Sequence, residues 1–132
     1  MEIVAESKYI RISPRKVRLV ANVIRRLPVK EALEILGATN KRAAKPLLDT
    51  LKQGIGNAVN NFKLNKENLV IKEIQIGEGP VFKRWRAVSR GQAHRILKRT
   101  SHIKLVLAER AKKEKEPPKK PKIKRRKDGT KG

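Results

Sequence analysis

The chain has 132 residues, with 35 Lys plus Arg against 12 Asp plus Glu, a formal net charge of +23 and no cysteine. A fold of this size holds such an excess against strong self-repulsion unless an anionic partner neutralises it. Composition excludes disulfides, thiolate nucleophiles and Cys-ligated zinc, and the four aromatics, Tyr9, Phe62, Phe82 and Trp85, are too few for a base-stacking platform.

The length predicts a single domain with one modest core. The start, Met-Glu-Ile-Val-Ala-Glu, lacks the charged and apolar regions of a signal peptide. The longest apolar-rich run, Leu19 to Ile24, is interrupted by Asn22 and is too short to span a bilayer. A soluble intracellular protein is expected.

In chain order, Ile3 to Ile12 reads as a strand, with Ile10 and Ile12 flanking Arg11. Ser13-Pro14 then opens a helix, with Ser at the N-cap and Pro at the first helical position. Val17, Val20, Ala21, Ile24 and Leu27 form its apolar face, and Arg15, Lys16, Arg18, Arg25 and Arg26 fall mostly on the others. Val29, Ala32, Leu33 and Leu36 repeat the helical spacing after Pro28, and Gly37 is a natural stop. A third helix is expected over about 42–62, with Ala44, Leu47, Leu48, Leu51, Ile55, Ala58, Val59 and Phe62 on one stripe. Pro46 either starts it or bends it, and Gly54 and Gly56 weaken it unless another backbone packs close. Leu69 to Gly77 reads as a strand, and Ile103, Leu105 and Leu107 mark its partner.

Between those strands lies a stretch from Gly79 to His102 with seven cations (Lys83, Arg84, Arg86, Arg90, Arg95, Lys98, Arg99) and no acid. Such a stretch would repel itself on a free surface. Folded back at ~3.3 Å per residue, residues 80–100 would reach roughly 30 Å, and Ser89-Arg90-Gly91 is the expected tip because Gly accepts positive φ. The flanking strands and the lack of acids favour an extended hairpin ordered by its partner over a floppy loop.

Residues 1–109 carry 23 basic and 9 acidic side chains; residues 110–132 carry 12 and 3, with Ile123 their one large apolar residue. That terminal segment is expected to be a basic tail, disordered when free, and its sign and density favour an arm that folds against polyanion over a mere solubility tail. His94 lies among cations, which discourages it as a metal ligand or acid. His102 is expected to hydrogen-bond at a strand edge, and Glu31 and Glu34 to face solvent. No paired carboxylates, Ser-His-Asp order, P-loop or dinucleotide fingerprint occurs, so no enzyme and no cofactor are expected.

Tyr9-Ile-Arg-Ile-Ser-Pro-Arg-Lys-Val-Arg-Leu-Val closely resembles the opening of the family of the twenty-second large-subunit ribosomal protein, in its bacterial form. Gly79-Pro-Val-Phe-Lys-Arg-Trp-Arg and Arg95-Ile-Leu-Lys-Arg-Thr-Ser-His-Ile resemble the two arms of that family's long hairpin. Asn40-Lys-Arg-Ala-Ala-Lys-Pro-Leu-Leu and Gly56-Asn-Ala-Val are similar, less specifically, to its third helix. The resemblance covers residues 2 to about 109.

It implies an α+β fold: three helices packed on a small antiparallel sheet, with a long protruding β-hairpin at about 79–102 and a basic C-terminal tail. It also implies a structural constituent of the large ribosomal subunit, in the cytoplasm, that binds ribosomal RNA and supports assembly. The partners implied are large-subunit ribosomal RNA, neighbouring ribosomal proteins and the nascent polypeptide, with no membrane and no homo-oligomer. By the resemblance, Arg11, Ser13, Arg15, Lys16 and Arg18 face RNA, and Lys83, Arg84, Arg86, Arg95, Lys98 and Arg99 grip it along the hairpin. Ala87, Val88, Ser89, Arg90, Gly91 and Gln92 line the peptide exit tunnel. The tip departs from the family's pattern, since Val88 and Gln92 stand where many members carry arginine. Charge alone also allows a DNA-binding architectural protein. An RNA-modifying enzyme is the weakest reading, for want of a catalytic constellation.

Overall fold

The structure, a computed structural model, describes residues 1–110. The chain runs β1 (Glu2–Ile10), α1 (Pro14–Ile24), α2 (Val29–Ala38), α3 (Ala44–Phe62), a short 3-10 turn (Lys66–Asn68), β2 (Leu69–Glu78), β3 (Phe82–Ala87), β4 (Ala93–Lys98) and β5 (Ser101–Glu109). The fold is α+β, as expected. The expected tail lies outside the described residues except for Arg110, whose N–H donates to the Asn68 carbonyl at 2.6 Å.

Two antiparallel sheets divide the strands: one in the order β1-β5-β2, the other the pair β3-β4. Alternation makes the first sheet two-sided. Ile3 and Ala5 of β1, Leu69, Ile71 and Ile74 of β2, and Ile103, Leu105 and Leu107 of β5 point into the core. A bulge at Lys72 lies between the Ile71↔Leu107 and Glu73↔Val106 pairs and restores the alternation for Ile74. On the outer face, Lys72 donates to Glu2. The pair links the two edge strands across the central strand β5.

Helices cover the inner face. In α1 the buried residues Pro14, Val17, Val20, Ala21 and Ile24 keep the i, i+3, i+4 spacing. Ser13 is the N-cap and Pro14 the first helical residue, as expected; the cap acts through its carbonyl, which accepts from Lys16 and Val17 at 3.0 and 3.3 Å, while the Ser13 hydroxyl makes no capping bond. Helix α2 runs through Gly37 to Ala38, where the Thr39 N–H and hydroxyl both bond the Ile35 carbonyl, so Gly37 is not the stop.

Helix α3 needs no bend at Pro46, which is its third residue, because an N–H there would have no intrahelical partner. Its buried face is Ala44, Leu47, Thr50, Leu51, Gly54, Ile55 and Ala58, while Val59 and Phe62, expected on the stripe, are exposed. The Thr50 hydroxyl satisfies itself on the Pro46 carbonyl at 2.8 Å. At Gly54 the helix packs tightly on the sheet. A Cβ there would stand 3.0 Å from Leu107 Cδ1 and 3.3 Å from Ala5 Cβ, whereas Gly56 has open space around it. The helix ends on Lys63 in the left-handed region (φ 52°), with the Leu64 N–H reaching back to the Ala58 carbonyl.

Strands β2 and β5 continue past the core as the arms of the β3-β4 hairpin. At the neck the Gly79 N–H donates to the Thr100 carbonyl at 3.0 Å, and the Thr100 hydroxyl donates to the Pro80 carbonyl at 2.7 Å. From there to the Phe82↔Lys98 pair the first arm spends one residue more than the second. The extra residue forms a bulge that houses Pro80, whose missing N–H then costs no ladder bond. Among the described residues no helix is long and apolar enough to cross a membrane.

Candidate nucleic-acid interface

Residues opposite one another in an antiparallel ladder share a face, and neighbours along a strand alternate. One face of the hairpin therefore carries Phe82 with Lys98, Arg84 with Ile96, and Arg86 with His94. The other carries Lys83 with Leu97, Trp85 with Arg95, and Ala87 with Ala93. Cations stand on both faces, and every residue from Phe82 to Lys98 is exposed except half-buried Ile96. The apolar rings are themselves covered by guanidinium groups. Arg11 and Arg84 lie 5.7 and 5.9 Å from the Phe82 ring, and Arg95 lies 5.5 Å from that of Trp85. Such contacts hold the guanidinium planes in place while leaving their N–H edges open to an acceptor. No acidic side chain occurs between Gly79 and His102 to compete for them.

The tip closes through Val88 N–H to the Gln92 carbonyl (2.9 Å) and Gln92 N–H to the Ser89 carbonyl (3.4 Å). Arg90 and Gly91 have φ of 59° and 67°, the double positive φ of a primed turn. Gly91 was legible as the turn residue; Arg90 also takes the left-handed conformation, at a cost of about 1–2 kcal/mol. Ala87, Val88, Ser89 and Gln92 flank the turn, all exposed.

The first helix divides into two sets. Arg11 and half-buried Ser13 lie in the bend before it, and Arg15 and Lys16 are exposed on its first turn. Arg18 is different. Its Nη2 donates to the Ile76 carbonyl at 3.2 Å and lies 3.7 Å from Glu78 Oε1, so it ties the helix to edge strand β2. Arg25, seven residues on, donates to the Ile74 carbonyl at 3.4 Å. Arg18 on the helix and Arg25, the extended residue just past its end, thus occupy alternate carbonyls on the free side of an edge strand, which blunts that edge against pairing with another chain. Nothing in their local sequence separates them from Arg15; the difference is a tertiary neighbour. Arg99 follows β4 and is exposed.

His102 is a bonding residue at the strand end, as expected. Its Nδ1 accepts the Tyr9 N–H at 3.0 Å, and the two rings meet edge to face at 4.9 Å. Tyr9 has φ 58°, within the irregular stretch where β1 loses register between Ser7 and Ile10. Glu31 and Glu34 face solvent. On the outer sheet face, the Lys72 hydrogen bond and charge hold the Glu2 carboxyl below its ordinary range, and Glu2 holds Lys72 above its own.

An α+β core that throws out a two-sided cationic hairpin, with further cations where its first helix begins, is the build of a structural protein that lies against polyanion. The class can be made particular: residues 5–108 match the sequence profile of ribosomal protein L22p/L17e, and the chain belongs to that family of ribosomal structural components, which are not enzymes. It is 47% identical over 109 residues to the large ribosomal subunit protein uL22 of Mesoplasma florum, covering 83% of this chain and 97% of that one. It is 46% identical over 111 residues to the protein of the same description from Chloroflexus aggregans, with 84% and 98% covered. The corresponding protein of Rubrobacter xylanophilus is 52% identical over 103 residues, with 78% and 81% covered.

Proposed function

We propose that this chain is a structural constituent of the large subunit of the cytoplasmic ribosome, where it binds ribosomal RNA, supports assembly and sends its hairpin along the nascent-peptide exit tunnel. The observation that carries this reading is the two-sided hairpin: Arg84, Arg86 and Lys98 on one face, Lys83 and Arg95 on the other, Arg99 just past the ladder, and no acid from Gly79 to His102. A protein resting on the surface of an RNA would need cations on one face. One enclosed by RNA needs them on both.

In this reading Arg11, Arg15 and Lys16 meet phosphate beside the first helix, with Ser13 at its start. Lys83, Arg84, Arg86, Arg95, Lys98 and Arg99 grip RNA along the arms, as positioning contacts that read shape and backbone more than base edges. Arg18 contributes charge to that surface while holding β2. The tip, Ala87 to Gln92, faces the tunnel lumen and the passing polypeptide, and neighbouring ribosomal proteins complete the surroundings. Sucrose-gradient sedimentation of lysate tests the placement: the chain should travel with the large subunit. Recovery on chromosomal DNA, away from the subunit, would overturn it. Deleting Ala87 to Gln92 should leave that sedimentation intact, because the proposed grip residues lie outside the tip; a deletion variant left at the top of the gradient would contradict that division.

A further inference from the structure

A groove of about 740 Å³ lies between the first helix, the connection from α2 to α3, and the root of the hairpin. Its lining brings together side chains far apart in sequence. Leu19 and Val23 of α1, Ile35 of α2 and Leu97 of β4 supply apolar walls. Leu19, Val23 and Leu97 are 66%, 60% and 42% exposed, an unusual outlay of aliphatic surface for a chain this polar. Around them stand six cations, Arg11, Lys16, Lys41, Arg42, Lys98 and Arg99, with no acid among the lining residues.

The two halves of this site make contradictory demands on most ligands. A phosphate backbone in duplex form would satisfy the cations and leave the aliphatic floor wet, because its bases are stacked inside the helix. A second copy of this chain, or any basic segment, would be repelled by the rim. An unpaired nucleotide meets both demands, since its planar base has apolar faces and its flanking phosphates are anionic. We infer that the groove receives a single unpaired base turned out of the RNA, with the phosphates on either side held by Lys16, Lys41, Arg42 and Arg99. This deepens the proposed RNA-binding role and rests on it. It also supplies base capture without an aromatic platform, using aliphatic walls from helix and hairpin.

The full-length chain and large-subunit ribosomal RNA test it. Leu19→Ser and Val23→Ser should each weaken binding roughly tenfold, in line with removing a buried aliphatic side chain from the interface, and leave the salt dependence unchanged. Lys16→Gln should instead lower the slope of log K against log salt by about 0.7–0.9. Both aliphatic residues are exposed in the free protein, so its melting temperature should not move. A photoreactive amino acid at position 19 should crosslink to one or a few unpaired nucleotides. Crosslinks confined to paired nucleotides or to another protein, or undiminished affinity in both serine variants, would overturn the inference and leave the RNA-binding role standing. If the parent chain bound duplex DNA as tightly as the ribosomal RNA, the role itself would fall, and this inference with it.

Discussion

A single missing methyl group decides how closely α3 approaches the sheet. At Gly54 the helix backbone lies against Leu107 and Ala5 with no room for a branched side chain. Gly54→Val should therefore overpack the interface and lower unfolding free energy by about 1–3 kcal/mol, measured by urea titration. Gly56→Ala, two residues on in open space, should raise stability by roughly 0.5–1 kcal/mol through helix propensity. The Glu2–Lys72 pair makes a different kind of prediction. Because the folded carboxyl sits below its ordinary value of 4.5, its contribution is complete above that value and is lost as pH falls through the lower folded one. Lys72 mirrors this at high pH, where its contribution is lost only as pH rises through its raised folded value. Both groups are exposed, so the effect is small: Glu2→Gln should flatten the acid side of the stability curve, and added salt should erase the difference between variant and parent.

The elements owe their positions to contacts of uneven legibility. Edge strand β2 depends on Arg18 and Arg25, and replacing both by Gln should cost about 1 kcal/mol and speed amide exchange along the strand, while Arg15→Gln should do neither. The start of α1 was readable from Ser13-Pro14, and the hairpin from an acid-free run between two apolar alternations, because both signals are local. The end of α2 was not: Gly37 marks a stop only where the next residue leaves the helix, and here Thr39 supplies the closing bonds. The large apolar residues of α3 mark its buried stripe in the sequence, but Thr50 and Gly54 also lie on that face. A threonine that bonds its own helix and a glycine that admits a neighbouring strand carry no hydrophobic signal. The separate duties of Arg18 and Arg15 were invisible for a related reason, since a carbonyl on β2 is 58 residues away from its donor. The groove beside Leu19 is likewise assembled from three elements and has no signature in any one of them.

Taken whole, the molecule keeps its apolar burial in the helix-covered sheet and its charge where little else is buried. That separation predicts two independent responses. Leu51→Ala, at the centre of the core, should cost about 2–5 kcal/mol of stability with little change in RNA affinity per folded molecule. Arg84→Gln with Arg95→Gln should leave the melt nearly unchanged and flatten the salt dependence of RNA binding by about 0.7–0.9 for each phosphate no longer neutralised.

The neck at Gly79 has a consequence of leverage. The turn at Arg90 and Gly91 lies ten residues beyond Pro80, so the tip stands roughly 30 Å from the bulge. A turn of about 10° at that pivot would swing the tip by roughly 5 Å, more than the length of one strand residue. Aim is thus set at the neck, by the Thr100–Pro80 bond and by a glycine whose Cβ would collide with the Thr100 hydroxyl at 2.4 Å. Gly79→Ala should redirect the arm without altering one residue of the tip, which spectroscopic distances from the core to a label at Ser89 would register as a shift of several ångströms. The end of the lever is steered from its fulcrum.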